Sequence, residues 1–303
     1  MTHTQIVRRA RVVALVLAAA ISLPLFAQSA YPTPDEAAAA LVKAIKDGDE
    51  PAMVKVLGEK WRDYVPTDNI DRDDVDAFLN QYDDSHRIVK DGDDKGHLTV
   101  GPTNWTLPIP LVHKGSGWSF DPIAGHDEII KRQIGANELF TVQAVQAYCD
   151  AQDDYSEKDR NGDGVREYAQ RFISTEGKHD GLYWPTKEGE PPSPLGPAFD
   201  TKNQPSWEGY HGYHYRILKA QGPSAPGGAY DYVVGGRLRN GYAVIAWPAH
   251  YGESGVMTFT TSHDGEVFQK DLGKNTATLV TKITKFDPDD SWTELKTDEL
   301  DKK

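Results

Sequence analysis

The run DRNGDGVRE, residues 159–167, places Asp159, Asn161, Asp163 and Glu167 at alternate or near-alternate positions around Gly164. Calcium is a hard cation that takes several oxygen ligands converging in a tight turn. Side chains at alternate positions of a curling loop point inward, and a glycine permits the backbone reversal. Asp159, Asn161, Asp163 and Glu167, with the Val165 carbonyl, therefore make a candidate calcium loop. Glu167 would act directly or through water. The pattern departs at its twelfth position, where Gln170 stands in place of a bidentate glutamate. An amide supplies one neutral oxygen, so affinity should fall. The competing reading is an acidic turn closing a helix, its Asp and Asn side chains accepting from local backbone N–H groups.

Other candidate groups are read more plainly. His211 and His214 lie in a strand pattern, and an odd separation puts them on opposite faces, so one strand does not aim both at one ion. His179 and Asp180 are adjacent and read as part of a loop turn. Gly252-Glu253-Ser254-Gly255 has a faint likeness to a serine nucleophile loop, but Val256 stands where that pattern needs glycine. A turn is the simpler reading. Cys149 sits in the helical pattern AVQAYCDAQ and reads as an inert thiol. Tyr210, Tyr213, Tyr215, Tyr230, Tyr232, Tyr242 and Trp247 form a dense aromatic set, suited to a sheet core and, in any exposed minority, to a partner surface. Gly-x-Ser-x-Gly, phosphate-loop, His-Glu-x-x-His and dinucleotide fingerprints are all missing from the sequence.

The chain that must position these groups has 303 residues and a formal charge of −13. Its acidity argues against a nucleic-acid partner, because phosphate contacts need clustered Lys and Arg. One cysteine excludes a disulfide framework within the chain. Arg8, Arg9 and Arg11 precede the apolar run Val12–Phe26, and Ala27 or Ala30 offers a small residue for cleavage. This is the layout of a secretory signal, and the run is shorter than the roughly 20 residues that span a bilayer. Cleavage after Ala27 removes three arginines and no acid. No later apolar stretch is long enough to span a membrane. The mature product is expected to be periplasmic or secreted.

Periodicity predicts helices over Pro34–Lys46, Pro51–Leu57 and Asp73–Tyr82, then strands over Arg87–Lys90, His97–Val100, Trp105–His113 and Trp118–Phe120. A long helix is predicted over Asp127–Asp154, weakened at Gly135. After a Gly/Pro-rich stretch, five strand-like runs follow: Tyr210–Lys219, Ala229–Val234, Gly241–Trp247, Gly255–Thr261 and Glu266–Lys270. Short spacers make them an antiparallel meander. The expected class is α+β. Residues 1–27 are the signal peptide, 31–125 a small α+β domain, 126–272 a spine helix with an antiparallel sheet, and 273–303 a charged, lightly packed tail.

The segments GANELFTVQAVQAYCDAQDDY, DRNGDGVREYAQRF, GEPPSPLGP, YHGYHYRILKAQGPSAPGGAYDYVV and AWPAHYGESGVMTFTTSHDGEVFQKDLG resemble an exported bacterial family of unknown function, number 2950. The resemblance covers nearly the whole mature chain. It implies an exported envelope protein and carries no catalytic residues. The first domain is similar in pattern to nuclear-transport-factor or cystatin folds. The second resembles a pilin globular domain, except that a whole unit precedes its spine. The expectation is a binding module of the cell envelope, with an envelope protein or a glycan as partner and calcium as a brace. A secreted hydrolase and a filament-associated subunit are the alternatives.

Overall fold

Thr33 and Pro34 open the first helix by local chemistry. The Thr33 hydroxyl accepts from the Glu36 N–H at 3.2 Å, and proline at the first helical position lacks only an N–H that would go unbonded. The computed structural model describes residues 28–67, 70–115, 117–160, 162–187, 189–196 and 209–296. Residues 1–27, expected to be a signal peptide, and Asn161 lie outside them. Two compact units emerge, one ending at His126 and the other beginning at Asp127.

In the first unit, α1 (Pro34–Asp47) buries Ala37, Leu41, Val42 and Ala44 along one stripe and stops at Gly48, whose positive φ of 61° suits a left-handed cap. α2 (Glu50–Leu57) starts where the Asp49 carboxylate accepts from Ala52 N–H at 3.1 Å. α3 (Arg72–Asp84) starts on a reciprocal pairing of Asp71 and Asp74 with each other's backbone N–H. Against these helices lies an antiparallel sheet of β1 (His86–Lys90), β2 (Lys95–Val100), β3 (Trp105–Thr106), β4 (Leu111–Lys114) and β5 (Gly117–Phe120). Its order is β1-β2-β4-β5, with β3 also paired to β2. The strand expected over Trp105–His113 is broken in two. Pro108 and Pro110 fall in the gap between β3 and β4, and neither has an N–H for a ladder.

α4 runs from Pro122 to Ser156, five residues earlier than the periodicity placed its start. Asp121 accepts from Ala124 N–H at 3.1 Å, so the Asp-Pro pair acts as the start signal. The helix continues through Gly135, because its neighbours on both sides are good helix formers and one glycine costs only about 1 kcal/mol.

The second unit packs the later turns of α4 on a five-stranded antiparallel sheet. The strands and ribbons are β6 (Tyr213–Leu218), β7 (Ala220–Gln221), β8 (Tyr230–Asp231), β9 (Val233–Val234), β10 (Arg237–Leu238), β11 (Ala243–Pro248), β12 (Met257–Ser262) and β13 (Val267–Asp271). A short α5 (Thr276–Leu279) and β14 (Thr293–Leu295) follow. The main sheet has the order β14-β13-β12-β11-β6. Val142, Val145, Tyr148, Ala151 and Tyr155 of α4 share one core with Tyr213, Tyr242, Val244 and Phe259.

Two expectations about this unit need correction. The run Ala229–Val234 does not join the main sheet. It is divided between two small ribbons, β8 on β7 and β9 on β10. Residues 273–296, expected as part of a lightly packed tail, are built in, and the remainder of that tail lies outside the described residues. Val280 and Phe286 are each 1% exposed, Arg216 donates to the Val280 and Ile283 carbonyls at 2.7 Å, and β14 supplies an edge strand.

Candidate functional site

Apolar side chains of α1, α2 and α3 border one common space inside the first unit. The result is an open apolar cavity of about 670 Å³ inside the first unit, within the range of small-molecule sites. Leu41 and Ala44 of α1, Met53 and Leu57 of α2, and Val75 and Phe78 of α3 form its walls. Trp61, in the 3-10 turn after α2, and Trp105 of β3 complete it. Ile70 and Trp105 are 50% and 42% exposed, large apolar side chains left facing water. Phe78 and Trp105 meet edge to face at 6.1 Å between ring centres.

The charges on this cavity are paired. Glu50 takes two hydrogen bonds from Arg62, at 3.2 and 2.6 Å, and Arg62 also donates to the Thr67 hydroxyl at 3.3 Å. The Arg62 guanidinium lies 4.4 Å over the Trp61 ring. Arg72 pairs with Asp76 at 3.0 Å, and Asp74 accepts from the Asp71 N–H. An apolar interior whose rim charges Glu50, Arg62 and Arg72 are already paired can bind apolar molecules.

Reading single helices does not reveal this site. Its lining residues come from three helices, a 3-10 turn, a strand and a loop, and only their assembly encloses a common space.

The residues of the candidate calcium loop form a turn that is already internally bonded. Asp159 accepts from Gly162 N–H at 2.8 Å, Asp163 N–H at 3.2 Å and Gly164 N–H at 2.7 Å. Asp163 accepts from Val165 N–H at 3.0 Å and forms an ion pair with Arg237 at 2.7 Å. Glu167 has its carboxyl pushed above the usual range, by burial first and then by the charges of Asp163 and Asp159. Gln170, at the twelfth position, donates to the Gly236 carbonyl at 2.8 Å and accepts from Lys219 at 3.1 Å. Asp159 and Asp163 are thus already engaged by backbone N–H groups and by Arg237, while Asn161 lies outside the described residues. Among the described residues, no group of three or more His, Cys, Asp or Glu side chains is placed to hold a metal ion.

Gln152 fixes the far end of this turn. It is fully buried on α4, donates to the Ala169 carbonyl at 2.9 Å and accepts the Ala169 N–H at 2.8 Å. Beside the turn lies a polar recess of about 250 Å³ with Tyr155, Tyr168, Arg171, Asp180 and Lys219 in its walls. Burial raises the Asp180 carboxyl, but the N–H and hydroxyl of Thr175 and the nearby Arg171 outweigh it and hold the group below the usual range.

The remaining candidates are occupied by packing. Ser254 donates its hydroxyl to the Gly212 carbonyl at 2.7 Å and accepts the His250 N–H at 3.0 Å. His211 lies stacked on Phe140, ring centres 3.6 Å apart, and His179 on Trp184 at 4.2 Å. His214 packs beside Trp247. The Cys149 thiol points to the Ser262 carbonyl at 3.6 Å, and burial pushes it up to about 11. Tyr213, Tyr232 and Tyr242 are buried in the core, while Tyr215, Tyr230 and Trp247 are half-buried against it.

The class these features define is an α+β protein with an antiparallel sheet in each unit and a long helix, α4, whose later turns pack on the meander of the second unit. The chain belongs to the family described as "Protein of unknown function (DUF2950)", which matches residues 28–295. No curated protein and no solved structure matches it. Among the described residues, no helix is long and apolar enough to cross a membrane.

Proposed function

We propose that this chain is an exported envelope protein that acts by binding, and that its first unit takes a small apolar molecule. The observation that carries the reading is the apolar cavity with Ile70 and Trp105 exposed on it. Burying such surface stabilises a complex by about 25 cal/mol per Å² before the costs of association. Export is supported by the Arg-rich, apolar leader and by the start of the family match at residue 28. An envelope protein or a glycan remains the proposed macromolecular partner, met by the half-buried aromatics Tyr215, Tyr230 and Trp247 of the second unit. Calcium enters this reading as a brace of the 159–167 turn that must first take Asp163 from Arg237.

The test is a titration of the mature chain, residues 28–303, with the neutral dye N-phenyl-1-naphthylamine. Saturable fluorescence at one dye per chain is expected. Ile70→Asp, at a half-exposed position, should weaken binding about tenfold without moving the thermal midpoint. A linear, unsaturated signal in the parent chain would sink the reading.

A further inference from the structure

We infer, resting on that reading of the cavity, that its occupant is a cationic amphiphile, whose apolar body fills the cavity and whose ammonium head stays at the mouth beside the first turn of α3. Four charged residues line the cavity: Glu50, Arg62, Arg72 and Asp74. Glu50 and Arg62 cancel each other, and Arg72 is cancelled by Asp76. Asp74 is the one left without a cation among the described residues, its carboxylate accepting the Asp71 N–H. This wall forms one side of the mouth, because Ile70, Arg72 and Asp74 both line the cavity and are exposed to water. Asp71 and Asp73 alternate with them along the chain and are exposed too, and among the described residues neither forms an ion pair.

The charge left over at this side of the mouth is negative. The carboxylates of Asp71, Asp73 and Asp74 are offset only by the start of α3, and a helix dipole is worth about half a positive charge there. Trp105, 42% exposed in the cavity wall, adds an aromatic ring, and ammonium groups are drawn to aromatic faces. A cationic head at the mouth keeps its contact with water, so it avoids the cost of carrying a charge into an apolar interior. An anionic head would be repelled by the three carboxylates, and to reach an arginine it would have to displace Glu50 or Asp76. A neutral head gains nothing from the field.

The experiment compares three probes of similar shape on the mature chain by calorimetric titration at low salt: 2-naphthylmethylammonium, 2-naphthylmethanol and 2-naphthoate. A cavity with no charge at its mouth favours the alcohol, because the ammonium is the more strongly hydrated. The inference expects the ammonium to bind about three- to tenfold more tightly than the alcohol, with naphthoate the weakest. In about 1 M sodium chloride, where the screening length falls to about 3 Å, the three affinities should draw together. This readout uses the parent chain and needs no folded variant. The double variant Asp73→Asn, Asp74→Asn should lose the preference for the ammonium and keep its affinity for the alcohol. Asp150→Asn, which removes one negative charge from α4 in the second unit, should leave the preference as it was. If the alcohol binds as tightly as the ammonium, or naphthoate binds best, or the preference survives high salt or the double variant, or Asp150→Asn removes it, the inference is overturned while the cavity reading stands. If none of the three probes binds, both fall together.

Discussion

Asp163 and Arg237, 74 residues apart in the chain, form an ion pair at 2.7 Å. Both side chains are about one-third exposed, so the pair is partly solvated and worth little to the stability of the fold. Its larger consequence concerns the turn. Asp163 is the central carboxylate of the calcium-like pattern, and a cation must compete with a guanidinium already in place.

Removing that guanidinium should therefore reveal any calcium affinity the turn has. The parent chain is expected to release heat only in the millimolar range. Arg237→Ala should tighten binding about tenfold, and Asp163→Ala should abolish it. Isothermal titration of all three decides the matter. Silence from both the parent and Arg237→Ala at about 10 mM calcium removes calcium from the proposed function.

The N-terminus of the mature chain is expected to be Gln28. Its side-chain amide donates to the Val56 carbonyl at 2.9 Å and the Phe120 carbonyl at 2.6 Å, and Ser29 N–H donates to Lys55. Tyr31 exchanges both backbone hydrogen bonds with Trp118. Cleavage after Ala30 would discard the first three of these contacts. Intact mass of the exported product should match residues 28–303, with or without cyclisation of Gln28. Gln28→Ala should lower stability by about 1–2 kcal/mol, read from urea unfolding. A mass that begins at Tyr31 contradicts the expectation.

Gly255 is a packing residue, and its substitution tests whether the Gly-Glu-Ser-Gly run has a structural purpose. A Cβ there would lie 2.1 Å from the Tyr213 hydroxyl, which is itself committed to the Met257 carbonyl at 2.9 Å. Gly255→Ala should cost about 3 kcal/mol through overpacking. Ser254→Ala should cost about 1 kcal/mol for its lost backbone contacts. Equal and negligible effects of both on the denaturant midpoint would refute this account.

Acid should weaken the second unit before its carboxylates titrate. Burial holds His211 below the ordinary imidazole value, and burial together with His250 does the same for His214. As pH falls, the unfolded chain takes up these protons first. The stability they contribute is complete above the unfolded value near 6.5 and drains away as pH drops below it. Denaturant midpoints at pH 7.5 and 5.5 should show the loss, and His214→Gln should reduce it. A midpoint that rises on acidification would reverse the sign and end the argument.

Much of the fold was legible because its causes are local. Thr33-Pro34, Asp49 and Asp71 with Asp74 start helices by bonding residues three positions away, so their starts can be read from spacing. The strands of the second unit alternate and are separated by glycine-rich turns, and four of the five predicted runs lie in the main sheet. The failures have a common physical form. Val233 and Val234 have strand propensity, but propensity does not choose a partner strand, and theirs is Arg237–Leu238. Phe286 has Lys285 and Asp287 beside it in sequence, yet it is buried in the core against Phe268, its backbone bonded to Ala220 and Gly222.

The sequence by itself determined the acidic surface, the leader-like start, the helix caps and the α+β order, since each depends on composition or on neighbours within a few residues. Tertiary structure decided what those elements leave between them. The cavity is walled by residues of α1, α2, α3 and β3 that tertiary packing brings together, and Asp163 is paired because the chain returns an arginine to it 74 residues later. Volumes left over and charges matched across the chain are properties of packing, and no window of sequence contains them.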